Sequence, residues 1–120
     1  MSSRRRQWKF RLRHIIDAVN KIDQYTEGMT FEQFRSDSKT VDAVVRNLEV
    51  IGEASRHIPA WVEEVHPEVP WADMRAMRNV LTHEYERVDL SVVWDTLQSN
   101  LPPLVPLLQA ILEAEDILNE

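Results

Sequence analysis

Cysteine is absent from the 120 residues, which excludes disulfides, thiolate nucleophiles, iron–sulfur clusters and every zinc site that needs a cysteine. Glycine occurs only twice. A dinucleotide-binding fingerprint or a phosphate-binding P-loop needs several glycines at fixed offsets, and a hairpin-rich β fold needs them in its turns. His14, His57, His66 and His83 are the only histidines, and none lies at the spacing of a helical zinc site, so no metal and no cofactor is expected. No Gly-x-Ser-x-Gly elbow marks a hydrolase nucleophile. No apolar run approaches the ~18 residues of a membrane span. The start, Met-Ser-Ser-Arg-Arg-Arg-Gln-Trp, is basic and lacks the apolar stretch of a signal peptide. A soluble, cytoplasmic protein with no membrane contact is the expectation, built as one domain over residues 1–120 because this length leaves no room for a second core.

Charge is plentiful and uneven. The chain has 20 acidic and 14 basic residues, a formal charge of −6. That sign does not advertise a nucleic-acid binder. Yet Arg4, Arg5, Arg6, Lys9, Arg11 and Arg13 crowd the first thirteen residues with no acid among them. Such a block is either a solvated helix start or arm (here residues 1–7), or a phosphate contact, with Arg4, Arg5 and Arg6 as candidates.

The apolar periodicity is helical almost throughout. Phe10, Ile15, Ile16, Val19 and Ile22 approximate an i, i+3/i+4 stripe that ends near Gly28, a plausible residue just beyond a helix C-terminus. Thr30-Phe31-Glu32-Gln33 has capping-box spacing. Val41, Val44, Val45, Leu48, Ile51 and Ser55 share one face of a third helix closed by Pro59. A short helical turn between Pro59 and Pro67 follows, then a fourth main helix from about Trp71 to Tyr85. Asp89 suits the N-cap of the next, which carries Val92, Val93, Trp94 and Leu97. Pro102, Pro103 and Pro106 place a break near Asn100, before a terminal helix with Leu107, Leu108, Ile111 and Leu118. The reading is an all-α bundle of four or five main helices. Glu49 and Glu53, at i, i+4 on the third helix, read with Arg46 and Arg56 as an exposed or inter-helix charged strip.

The fourth helix carries the chemistry. At about 100° per residue, Met74, Met77 and Leu81 share a core stripe; Asn79 and His83 fall nearly opposite it, with Arg75, Arg78 and Thr82 between. His83 is therefore off the buried stripe. It is either an ordinary surface histidine or part of a set in which two arginines, an amide and an imidazole hold a phosphate and move a proton. Arg78 and His83 are about 140° apart on an ideal helix. Closing them on one phosphate requires a loosened helix end, a bent arginine, or a second copy of the helix across a dimer.

These residues bring a family into view. Arg78-Asn79-Val80-Leu81-Thr82-His83-Glu84-Tyr85 reads Arg-x4-His-x-Tyr and resembles the signature of HEPN-domain ribonucleases of the HepT type. Leu12-Arg13-His14-Ile15, the run from Arg46 to Ala54, Pro70-Trp71, and Val88-Asp89 followed by Val93-Trp94 resemble further segments of that family in the same order. The likeness spans about residues 8 to 112 and departs at Ala76, where a glycine is expected. The resemblance implies an all-α, HEPN-type homodimeric toxin that cleaves RNA without metal, paired with a nucleotidyltransferase antitoxin of the MntA type that adds AMP to a tyrosine. Carried over by position, it implies Arg78 and His83 as the catalytic pair, Asn79 as their polar support, and Tyr85 as the modified residue. Arg75 joins the arginines expected to hold RNA. The competing class is a non-catalytic helical interaction or nucleotide-binding module that uses the same face and cuts nothing.

Overall fold

The computed structural model describes the backbone of residues 2–83 and 89–118, and the side chains of residues 7–78 and 89–115. Seven α-helices account for nearly all of it, with no strand among the described residues: α1 (Ser2–Thr26), α2 (Phe31–Ser36), α3 (Ser38–Ser55), α4 (Ala60–Val65), α5 (Trp71–His83), α6 (Leu90–Asp95) and α7 (Leu104–Leu118). None of them is long and apolar enough to cross a membrane.

Helix boundaries follow local chemistry. Gly28 adopts φ of 75°, the left-handed conformation that ends α1 at no steric cost. Thr30 and Gln33 form a reciprocal capping box at α2: the Thr30 hydroxyl accepts from the Gln33 amide at 3.2 Å and the Gln33 side chain accepts from the Thr30 amide at 2.9 Å. Asp37 caps α3 by accepting from the Thr40 amide, and Asp89 caps α6 by accepting from that of Ser91. After α6 the chain widens into a π-helical turn over Thr96–Asn100, closed by a Leu101 amide donating to the Thr96 carbonyl at 3.1 Å. The break predicted near Asn100 is this turn. Pro102 and Pro103 follow it, and Pro106 sits in the first turn of α7, where a missing N–H leaves no intrahelical bond unmade.

α3 is the central element, packed between α1 and α5, with α7 against α1 and α2 bridging to α6. Its buried face of Val44, Val45, Leu48 and Ile51 meets Leu12, Ile15, Val19 and Ile22 of α1, together with Met74 of α5 and Leu104, Leu108 and Ile111 of α7, in one core. Each such side chain contributes about 1.5–3 kcal/mol on burial. Two buried polar groups are satisfied locally: the Ser55 hydroxyl donates to the Ile51 carbonyl at 2.7 Å, and the Trp71 indole donates to the His66 carbonyl at 2.9 Å.

One expectation is corrected. Phe10 is not on the buried stripe of α1; it is 59% exposed, with the Arg13 guanidinium 5.7 Å above its ring. Trp8 and Leu12 take the inward positions, and Lys9 is 8% exposed. The reason is angular. Phe10 lies about 140° from Ile15 and about 160° from Leu12 around the helix, so it cannot share their face.

Candidate active site on α3 and α5

α3 and α5 come into tight backbone contact at Gly52. A methyl group placed on it would lie 2.5 Å from the Arg78 amide nitrogen and 2.6 Å from the Arg78 Cβ. Only a residue without a Cβ lets the two helix backbones come this near, so Gly52 sets where Arg78 stands. Arg78 thus continues the line of Trp71 and Met74 toward α3, nearer the packed face than the phase of Met74, Met77 and Leu81 implied. Its side chain then leaves the seam, 40% exposed.

There it meets a carboxylate. Arg78 Nε donates to Glu53 Oε2 at 3.0 Å. The same Oε2 receives Arg56 Nη1 at 3.3 Å, and His57 Nε2 lies 3.4 Å from Oε1. Partial burial pushes the Glu53 pKa up, but the His57 hydrogen bond and the charges of Arg78 and Arg56 outweigh it, and the carboxyl is held below its ordinary value. Glu53 is therefore an anion at neutral pH that fixes the head of Arg78 from the neighbouring helix.

Beside this pair opens a cavity of about 260 Å³ between α1 and α3, with Arg78 on its rim. Arg11 and His14 line it from α1, Arg46 and Glu49 from α3, over a floor of Val50 and Ala54. Arg46 pairs loosely with Glu49 at 3.8 Å. The charged strip expected on α3 is thus real and is inter-helix through Glu53. Among the described residues no cluster of His, Asp and Glu is arranged to hold a metal ion.

The sequence-predicted residues divide. Asn79 and His83 lie on the last turns of α5 directly after Arg78; their side chains, and Tyr85 altogether, lie outside the described residues, as do the side chains of Arg4, Arg5 and Arg6. Arg75 is elsewhere. It donates to Glu63 of α4 at 2.6 Å, in a separate depression shared with Glu64 and Trp71. Ala76 is exposed, so the methyl it carries in place of the expected glycine meets no core. Sequence reading missed the Glu53–Arg78 contact and the role of Gly52. A glycine inside an otherwise strong amphipathic helix was the available signal of close backbone approach.

Comparison with known proteins supplies the family. Residues 15–111 match the model of the family described as "Ribonuclease HepT-like". The chain is 43% identical over 100 residues to "Probable ribonuclease HepT" of Thermococcus cleftensis, covering 83% of this chain and 91% of that one. It is 36% identical over 104 residues to "Putative RNase TTE0752" of Caldanaerobacter subterraneus subsp. tengcongensis, covering 87% and 93% respectively. It is 35% identical over 106 residues to "Putative RNase MJ0127" of Methanocaldococcus jannaschii, covering 88% and 83%. No solved structure matches. Matched by the family model over most of its length and by relatives covered almost end to end, the chain belongs to the HepT-like family.

Proposed function

We propose that this protein is the toxin of a toxin–antitoxin pair, a metal-independent endoribonuclease that works as a homodimer in the cytoplasm. The observation that carries the reading is Arg78: a guanidinium anchored by Glu53 at 3.0 Å on the rim of a cation-lined cavity, on the helix that carries Asn79 and His83. Family membership supports it, as do the relatives named as ribonucleases.

RNA brings its own nucleophile, so such an enzyme needs only proton transfer and charge stabilisation. His83 takes the proton of the ribose 2′-OH as general base. The 2′-oxygen bonds to phosphorus, the bond from phosphorus to the 5′-oxygen breaks, and the leaving oxygen takes up a proton. The products are a 2′,3′-cyclic phosphate and a 5′-hydroxyl. Arg78 stabilises the extra negative charge of the phosphorane with its forked donors, and Asn79 orients the ring or the phosphate. Glu53 pre-positions Arg78 before substrate arrives. A second copy of α5 completes the cleft, and Arg4, Arg5 and Arg6, at the start of the helix that carries Arg11, extend the basic surface along which RNA is held. Arg75 is tied to Glu63 at 2.6 Å and must leave it to meet RNA. AMP placed on Tyr85 by an MntA-type nucleotidyltransferase adds a negative charge and a bulky adenosine that compete with RNA for Arg78.

The test is to incubate the protein with RNA and with DNA of the same sequence in excess chelator. RNA alone is cut, and His83→Ala or Arg78→Ala lowers the rate by about 100-fold or more. Cleavage abolished by the chelator, or retained in His83→Ala, overturns the mechanism. RNA binding that survives His83→Ala in a protein that never cuts assigns the chain to the non-catalytic class instead. Tyr85→Phe still cuts but gains no adenylyl mass with the nucleotidyltransferase and ATP.

A further inference from the structure

The cavity beside Arg78 holds more positive charge than that mechanism uses. Glu53 is matched by Arg78 and Arg56, and Glu49 by Arg46. Arg11 and His14 line the same cavity from α1, and neither makes an ion pair among the described residues. They stand at i, i+3 on one face, about 60° apart. Both carboxylates are already occupied by cations, so Arg11 brings an unmatched positive charge to the cavity and His14 a ring N–H donor. That arrangement selects an anion.

Size narrows the ligand. About 260 Å³ falls below the ~300–1,000 Å³ of pockets that enclose a whole small molecule. It suits one phosphate with part of its sugar. Val50 and Ala54 give the floor an apolar surface against which a ribose face can rest. Arg78 lines the same cavity, so a strand with a phosphate at Arg78 has its next phosphate within reach of Arg11 and His14.

We propose that Arg11 and His14 form a second phosphate subsite, which grips the RNA phosphodiester next to the one cleaved at Arg78. This rests on the ribonuclease reading for the identity of the strand. Arg11 donates its fork to that phosphate and His14 donates one ring N–H, while Arg46 stays with Glu49 and keeps that carboxylate matched. The subsite fixes the register of the strand without touching the reacting atoms, so it acts on binding rather than on proton transfer.

The experiment uses the full chain and a short single-stranded RNA with 2′-fluoro at every ribose, which has no 2′-OH and cannot be cut. Binding is followed by fluorescence anisotropy against salt. Arg11→Gln/His14→Gln binds about tenfold more weakly, and the slope of log affinity against log salt falls by about 0.7, the value for one lost single-strand phosphate contact. His14→Gln alone, at an exposed side chain that cannot disturb the core, gives a smaller loss in the same direction. Arg35→Gln on α2, outside the cavity, removes one positive charge and leaves affinity and slope as in the wild type. Equal behaviour of Arg11→Gln/His14→Gln and Arg35→Gln overturns the subsite, as does a wild-type chain that does not bind the probe. Because the probe is uncleavable, the outcomes separate. If the binding contrast holds while unmodified RNA is never cut, the nuclease reading fails and the subsite stands.

Discussion

Two corners of the molecule are held by different physics. At the α2–α6 corner, Phe34 is fully buried and its ring lies 5.2 Å from that of Trp94, with Phe31 6.2 Å from the same indole. Capped helix ends at Thr30, Asp37 and Asp89 surround this aromatic contact. Among the described residues no aromatic pair clamps the α3–α5 seam. The helices meet through Gly52, and the side chains leaving the contact are Arg78, Glu53, Arg56 and His57. The first corner spends its residues on stability. The second brings charges together at solvent-exposed positions, where ion pairs add little to stability, about 0–1 kcal/mol each. Those charges therefore contribute little to holding the seam together.

The largest expected effect breaks the first corner. Phe34→Ala leaves a cavity among Trp94 and its neighbours, and costs about 3–5 kcal/mol in urea unfolding. The cleavage rate per folded molecule stays near that of the wild type, because α5 is not part of that corner. A loss below about 1 kcal/mol would mean that the aromatic contact is peripheral and that the core rests on α1 and α3 alone.

The seam is sharpened by the chain's two glycines, which are there for opposite reasons. Gly28 has nothing within 4 Å of an added Cβ but a φ of +75°, whereas Gly52 has ordinary helical backbone and no space. Gly28→Ala pays only for the left-handed conformation, about 1–2 kcal/mol, and cleavage per folded molecule is unchanged. Gly52→Ala costs a comparable ~1–3 kcal/mol by overpacking. It also forces α5 away and carries Arg78 with it. A displacement of about 1 Å can cost about 100-fold in rate, so the two alanine variants are alike in a melting curve and unlike in a cleavage assay. Equal cleavage by both would separate Arg78 from the Gly52 contact.

A smaller effect tests the caps. Thr30→Ala removes the acceptor of the Gln33 amide and lowers stability by about 1 kcal/mol, while Thr30→Ser restores it. The consequence stays at the α2–α6 corner.

Much of this architecture could be read from the residues because local rules write it. The capping box at Thr30, the cap at Asp89, the turn at Gly28 and the proline-marked break near Asn100 each depend on a few neighbouring residues. Phe10 shows the limit: a loose i, i+3/i+4 match hides a 140° error that only the packed neighbours Trp8 and Leu12 reveal. The site divides in the same way. Arg78, Asn79 and His83 can be singled out from the sequence because they share one helix and one motif. Glu53, Arg11 and His14 cannot, because what brings them to Arg78 is the approach of α1 and α5 to α3. Intrahelical spacing holds no information about that approach.

The smallest effect compares the two corners by titration. Asp37 and Asp89 have pKa values lowered chiefly by hydrogen bonds from the Thr40 and Ser91 side chains, then by the amides they cap. Glu53 is also lowered, with partial burial opposing and the His57 hydrogen bond and Arg78 charge prevailing. In each case the folded carboxyl holds its proton less tightly than the unfolded one, whose ordinary value is about 3.9 for Asp and 4.3 for Glu. The unfolded chain therefore binds more protons as pH falls through that range. The stabilisation is complete above about pH 5 and is lost on acidification through the folded pKa values. Asp37→Asn keeps a capping acceptor and removes the titration, so unfolding measured from pH 6 to pH 3 should show a flatter fall in stability with little change at pH 6. Glu53→Gln should flatten the same fall and, unlike Asp37→Asn, make the remaining stability less sensitive to salt, because the charges of Arg78 and Arg56 act beside the His57 hydrogen bond in lowering Glu53. Identical salt responses in the two variants would mean that the seam, like the caps, is held by hydrogen bonds and not by charge.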